Sequence, residues 1–137
     1  MIGVGVITHG NLANGLKNAA QMIMGEIDHF DALSLTEGAD LSVFSESVLS
    51  LAESVNGGEG VLLFVDLFGA TPFNTIASIR NQLSEKGIAV QIITGVNLPM
   101  IIEALAMRQR ISLKELAPSI VNTGKESIKA IELPAND

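Results

Sequence analysis

Apolar positions along this chain follow two alternating patterns. Residues 1–8 (MIGVGVIT), 60–67 (GVLLFVDL) and 88–95 (IAVQIITG) are short runs rich in Val, Ile and Leu, and residues 29–35 (HFDALSL) form a weaker run of the same kind. Short, continuous, β-branched runs predict strands buried on both faces. Between them the apolar residues return every three or four positions: Leu12, Leu16, Ala20, Ile23; Leu41, Phe44, Val48, Leu51, Val55; Phe73, Ile76, Ile79, Leu83; and Ile102, Leu105, Ala106. That spacing predicts helices with one buried face.

The punctuation fits this alternation. The first helix is expected to stop near Gly25 and the second at Asn56-Gly57-Gly58. Pro72 suits the first helical position of the third, with Thr71 as its cap, and Gly87 ends it. Asn97 can cap the fourth. Ser112 followed by Glu115 reads as a capping box for a further short helix, in which Pro118 should act as a kink or a stop. Residues 127–133 (SIKAIEL), just before Pro134, read as a short charged strand suited to a sheet edge or to exchange between subunits. Strand and helix in alternation predict a single α/β domain over residues 1–137. Its four-stranded, mainly parallel sheet would take the order 2-1-3-4, with helices on both faces.

Composition narrows the functional classes. At 47% hydrophobic residues the chain is not a disordered one. No apolar run reaches the roughly 18 residues of a membrane span, and no basic-then-apolar leader opens the chain. There are no cysteines, which excludes disulfide frameworks, thiolate metal sites and cysteine nucleophiles, and fits a reducing compartment; the expected location is the cytoplasm. A net charge of −7 with eight scattered basic residues argues against nucleic acid, as does the absence of Trp and Tyr for base stacking.

In an open parallel sheet, function gathers beyond the carboxyl ends of the strands where their order reverses. With the first strand central, Thr8-His9-Gly10, the stretch from Asp66 to Asn74, and Gly95-Val96-Asn97 meet there. A carboxylate at Asp66 that accepts the proton of one ring nitrogen of His9 would leave the other as a nucleophile and would stabilise the cation formed on attack. Backbone N–H groups at Gly10, Gly69 and Ala70, with the start of the helix at Pro72, could hold an anion. Taken singly, each of these residues has an ordinary structural explanation: a loop histidine, a turn-capping acid, a tight-turn glycine, a helix start. Their convergence on neighbouring strand ends carries the functional reading. His29, among Glu26, Asp28 and Asp31, reads as a solvated loop residue, and a whole helix separates it from His9, so no shared metal and no other cofactor is expected.

The stretches THGNLANGLKNAAQMIMGE (8–26), VDLFGATPFN (65–74), GVNLPMIIEAL (95–105) and TGKESIKAI (123–131), in this order over nearly the whole chain, resemble the enzyme IIA component of the mannose family of the bacterial sugar phosphotransferase system. The resemblance implies a phosphotransferase. It would accept a phosphoryl group from the histidine-containing phosphocarrier protein and pass it to a separate IIB component, which works with membrane IIC and IID components in sugar uptake. It further implies that His9 carries the phosphoryl group on Nε2, that Asp66 partners the near nitrogen, and that the turn at Gly69, Ala70 and Thr71 holds the phosphoryl oxygens. Homodimers whose last strand crosses to the other subunit would match SIKAIEL. The family turn is often Gly-Gly-Ser-Pro where this chain has Gly-Ala-Thr-Pro. Phe68, Asn97, Leu98 and Met100 are candidate contacts for a docking protein.

Other classes fit less well. A receiver-like domain phosphorylated on Asp66 needs an acidic cluster after the first strand and a lysine after a later one; those ends carry Thr8-His9-Gly10 and Thr94-Gly95-Val96. A nucleotide or flavin module needs a phosphate-binding glycine loop, and neither a Walker loop nor G-x-G-x-x-G follows a strand. The phosphoryl-donor subunit for dihydroxyacetone kinase is a nearer alternative, and ATPFN with GVNLPM favours the sugar-transport branch.

Overall fold

The computed structural model describes residues 1–136. Four strands, β1 (Gly3–His9), β2 (Phe30–Leu35), β3 (Val61–Val65) and β4 (Val90–Ile93), alternate with six helices, α1 (Leu12–Met24), α2 (Leu41–Val55), α3 (Thr71–Ser78), α4 (Arg80–Glu85), α5 (Leu98–Met107) and α6 (Leu113–Glu126). All pairings are parallel and the strand order is β2-β1-β3-β4, which is the expected order. One apolar cluster joins Val4, Val6, Leu62 and Phe64 to α1, α5 and α6; a second joins Ile7, Leu63 and Val65 to α2 and to Ile76, Ile79 and Leu83. Helices therefore cover both faces.

The GVGV repeat of β1 follows from this layering. Val4 and Val6 fill the first cluster, and the alternate positions face α2. At Gly3 a Cβ would run into the backbone carbonyl of Val55, so only glycine lets the end of α2 lie this close to the strand. Caps fix the helix starts. Asp40 Oδ1 accepts from Ser42 N at 2.8 Å and Val43 N at 3.1 Å, and the Ser112–Glu115 capping box is formed in both directions at 3.3 Å.

Several expectations need correction. In α1 the buried residues are Ala13 and Ala20, whereas Leu12 and Ile23 are exposed. Small residues let this helix sit close to the sheet, and its register is set by an end-cap described below. The third helix breaks at Ile79, whose N–H turns back to Ile76 O at 3.2 Å, so α3 and α4 replace one continuous helix. In α5, Ile101, Ala104 and Leu105 point inward and Ala106 is exposed. Pro118 does not stop α6, which runs 14 residues; Leu116, Ala117 and Ile120 around it are buried and hold the helix against the core.

SIKAIEL forms no strand: beyond Ser127 the described residues have no regular structure, and Ile128, Ile131 and Leu133 are exposed. A strand needs a pairing edge, and within this chain the segment meets none.

At the foot of the sheet, Arg108 is buried and its guanidinium donates to three backbone carbonyls: Ile2 at 3.2 Å, His29 at 3.0 Å and Asp28 at 2.6 Å. Burial lowers its pKa and the charge of Asp28 raises it in part. His29 is exposed, with a left-handed φ of 51°, and its Nδ1 bonds Val55 O at 3.1 Å.

The tight approach at Gly3 gives a direct check. Gly3→Ala is expected to lower stability by about 1–3 kcal/mol, because the clash is with backbone that cannot step aside. Urea unfolding with an unchanged slope and a lower midpoint would register it.

Candidate active site

The register that pairs Ile7 with Val65 leaves His9 and Asp66 just beyond it, at the carboxyl ends of adjacent strands. Asp66 Oδ2 accepts from the backbone N–H of His9 at 3.0 Å and lies 2.8 Å from its Nδ1. With Asp66 ionised, that contact assigns the proton to Nδ1, and Nε2 keeps a free lone pair. Nε2 makes no hydrogen bond among the described residues, and the His9 side chain is 45% exposed against 14% for Asp66. The nucleophilic edge faces solvent while the carboxylate that steers it is mostly covered.

Burial alone would raise the Asp66 pKa. Hydrogen bonds from the His9 ring and backbone, the charge of His9, and a hydrogen bond from the chain beside Asp66 itself outweigh it, and the carboxyl lies below its usual 3.8. Leu67 N also donates to Asp66 Oδ1, at 3.0 Å. Asp66 also anchors the third segment, since its carbonyl accepts from Gly95 N at 3.2 Å, and Val96 N reaches Val65 O at the same distance. The three strand-end segments expected from the sequence do meet.

The turn after Asp66 is closed by Asn74, whose Nδ2 donates to Gly69 O at 2.9 Å. Gly69 has φ 75°, and a Cβ there would meet nothing, so backbone conformation rather than space calls for glycine. Ala70, not Thr71, is the N-cap of α3, with extended backbone and its carbonyl accepting from Asn74 N at 2.9 Å. Thr71 takes the first helical position and Pro72 the second. Among the described residues the N–H groups of Gly69, Ala70 and Thr71 find no acceptor and lie at the start of the helix, which is an anion-binding arrangement.

Gly10 does not fit the role expected of it. Its N–H donates to Leu35 O at 2.8 Å, so it is already committed to holding the β1 end against β2.

The candidate docking residues separate. Phe68 is 78% exposed and leans on Phe73 with ring centroids 4.9 Å apart. Asn97 is half-buried; its Oδ1 caps α5 through Met100 N at 3.1 Å, and its Nδ2 reaches Gly124 O at 3.3 Å and Ser127 Oγ at 3.4 Å. Leu98 is half-buried against the core and Met100 is 7% exposed, packed on Gly124 of α6, so these two serve packing.

Sequence reasoning missed Thr8, which is fully buried beside His9, and Asn74. The signal for Thr8 was a hydroxyl in a run whose other side chains are apolar; for Asn74, an amide one turn into a helix that starts at a glycine turn.

The family model described as "PTS system fructose IIA component" matches residues 3–121. The chain is 30% identical over 129 residues to the fructose-specific EIIA component of the phosphotransferase system of Bacillus subtilis, covering 94% of this chain and 86% of that protein. It is also 30% identical over 132 residues to the mannose-specific EIIAB component of Escherichia coli, covering 96% of this chain and 40% of the longer relative. Among solved structures, phosphotransferase system component EIIA from Streptococcus agalactiae superposes with a TM-score of 0.84 at 21% identity, covering 95% of this chain and 97% of the other. The mannose/sorbose-specific IIA subunit from Enterococcus faecalis gives 0.82 at 24%, covering 99% and 98%. The two structures show the same fold.

The lowered pKa of Asp66 sets a pH dependence. Its folded value lies below 3.8, so its contribution to stability is complete above that pH and is lost as pH falls through the folded value. Urea midpoints measured from neutral pH downwards should fall more steeply in the wild type than in Asp66→Asn, which has no carboxylate to protonate.

Proposed function

This chain belongs to the fructose/mannose IIA family of the phosphotransferase system, and is a phosphotransferase of sugar uptake that moves a phosphoryl group by way of a histidine; from this we propose that His9 is that histidine and Asp66 the residue that orients it. One observation carries the reading. The His9 ring is tied through Nδ1 to Asp66 Oδ2 at 2.8 Å and presents an unbonded Nε2 at an exposed strand end.

The donor is a phosphohistidine of the histidine-containing phosphocarrier protein. The lone pair on His9 Nε2 forms a bond to phosphorus as the donor's N–P bond breaks, and the electron pair of that bond returns to the donor ring. The phosphorylated His9 ring is then cationic, with its Nδ1 proton still bonded to Asp66, whose charge offsets it. The phosphoryl oxygens are received by the N–H groups of Gly69, Ala70 and Thr71 and by the Thr71 hydroxyl. Little other covalent work is needed, so alignment and anion stabilisation dominate the rate. The reverse alignment delivers the group to a IIB component, which serves membrane IIC and IID components; the exchange takes place in the cytoplasm. Exposed Phe68, with the neighbouring Leu67, forms apolar rim for the docking proteins.

Asp66 is poorly suited to be the phosphorylated residue itself. Its oxygens already accept from the His9 ring, the His9 backbone and Leu67 N.

The same reading includes a homodimer. The tail after Ser127 exposes Ile128, Ile131 and Leu133. β4 is an edge strand, and a groove of about 700 Å³ beside it is lined by Ile76, Leu83, Ile88, Val90 and Ile92 among others. The tail of one copy adds to the β4 edge of the other, which buries those side chains and covers that edge.

With the phosphorylated carrier as donor, the wild-type chain is expected to gain an acid-labile, alkali-stable phosphoryl group that maps to His9. His9→Ala should gain none, and Asp66→Ala should fold and accept on the order of 100-fold more slowly. Full acceptance by His9→Ala would overturn the assignment. For the dimer, light scattering should give twice the chain mass for the full chain and a single chain mass for one ending at Ser127.

A further inference from the structure

A threonine in the middle of an apolar strand end needs a physical reason. Thr8 is fully buried. In the run VGVIT a valine would fill the same volume without the cost of removing a hydroxyl from water, which is recovered only through good hydrogen bonds. The Thr8 hydroxyl has two. It accepts from Ala13 N at 2.7 Å, and it lies 3.2 Å from the carbonyl of His9, to which it donates. One proton given and one received balance a single hydroxyl.

These bonds fall on the two ends of one short segment. His9 is the last residue of β1 and Ala13 lies in the first turn of α1, with Gly10 and Asn11 bridging them. Asn11, the N-cap position of α1, makes no side-chain cap bond, so Thr8 supplies that cap from within the strand. It explains why Ala13 rather than Leu12 faces the sheet. On the catalytic side, the direction of the His9 ring depends on where the His9 backbone sits relative to Asp66. That backbone is held at its N–H by Asp66 Oδ2 at 3.0 Å, at its C=O by Thr8, and one residue on by Gly10 N to Leu35 O at 2.8 Å. The last two act on one peptide plane, the one that leaves His9: Gly10 holds it at the N–H, and Thr8 holds it at the carbonyl.

We infer that Thr8 is a positioning residue for phosphoryl transfer: its buried hydroxyl clamps the strand-to-helix segment so that the His9 ring meets Asp66 through Nδ1 and presents Nε2 in one direction. It touches neither the phosphoryl group nor a docking protein and acts through the His9 backbone. The inference rests on His9 being the phosphorylated residue.

A helix cap alone would act differently. Loss of a cap lowers thermal stability but leaves the rate per folded molecule unchanged. Loss of a clamp changes the rate itself, because displacement of a reacting group by about 1 Å costs on the order of 100-fold.

The test uses the full-length chain with phosphorylated carrier protein as donor and compares wild type, His9→Ala, Thr8→Val and Thr8→Ser. Thr8→Val keeps the shape and removes the hydroxyl. It is expected to lower kcat between about 10-fold and 100-fold with KM for the donor unchanged. Nitrogen-15 spectra of the His9 ring should show a mixture of tautomers where the wild type holds Nδ1–H. Thr8→Ser, which restores the hydroxyl, should recover both rate and spectrum. Wild-type kcat in Thr8→Val, whatever its melting temperature, overturns the inference, and so does failure of Thr8→Ser to recover. If Thr8→Val does not fold, Thr8→Ala removes the same hydroxyl without added volume and takes its place. If neither folds, the hydroxyl is scaffold and the inference falls. Failure of the premise looks different: the wild type would then carry no phosphoryl group on His9.

Discussion

A single carboxylate oxygen, Oδ2 of Asp66, receives both the backbone N–H and the ring of His9. The first bond places the residue and the second orients its ring, so position and tautomer are set by the same atom. Because the carboxylate is mostly covered and the ring nearly half exposed, the pair is held firmly yet remains open to another protein. In the proposed transfer, a nucleophile that meets two different macromolecules in turn needs this combination: a rigid base and an unobstructed tip.

The sheet makes that bond available. Parallel pairing of β1 with β3 brings two carboxyl ends side by side, and β2 and β4 flank them. The loops that leave those ends then converge without any long excursion of chain. The Asp66 carbonyl binds Gly95, and Asn97 binds the end of α6, so the segment on which His9 depends is continuous with the last helix of the fold. The start of α3 adds free N–H groups at the same rim, where a negatively charged group is best received.

Much of this was legible in the sequence, and the legible parts share a property. The strands, the Ser112–Glu115 box, the Asn97 cap and the convergence of His9 with Asp66 all follow from local pattern plus one rule of sheet topology. What escaped depends on relations between segments distant in sequence or between atoms not marked by residue type. On α1, Leu16 and Ala20 face the core as expected, but Leu12 and Ile23 do not, and only the Thr8 hydroxyl reveals that the helix is turned to seat Ala13. Gly10 looked like an anion donor because glycine advertises freedom, but a carbonyl on β2 had already taken its N–H. The break at Ile79 leaves no mark in composition. SIKAIEL has the pattern of a strand, but among the described residues it pairs with neither edge of the sheet, and residue pattern alone does not tell which edge a segment will meet.

The contact that welds the sheet lies at the opposite end from the chemistry. Arg108 gathers the carbonyls of Ile2, Asp28 and His29, tying the entry of β1, the turn before β2 and the exit of α5 into one knot. The bonds around His9 join the strands at one end of the sheet, and Arg108 joins them independently at the other. A change in the loops around His9 therefore leaves this knot, and the strand entries it holds, untouched.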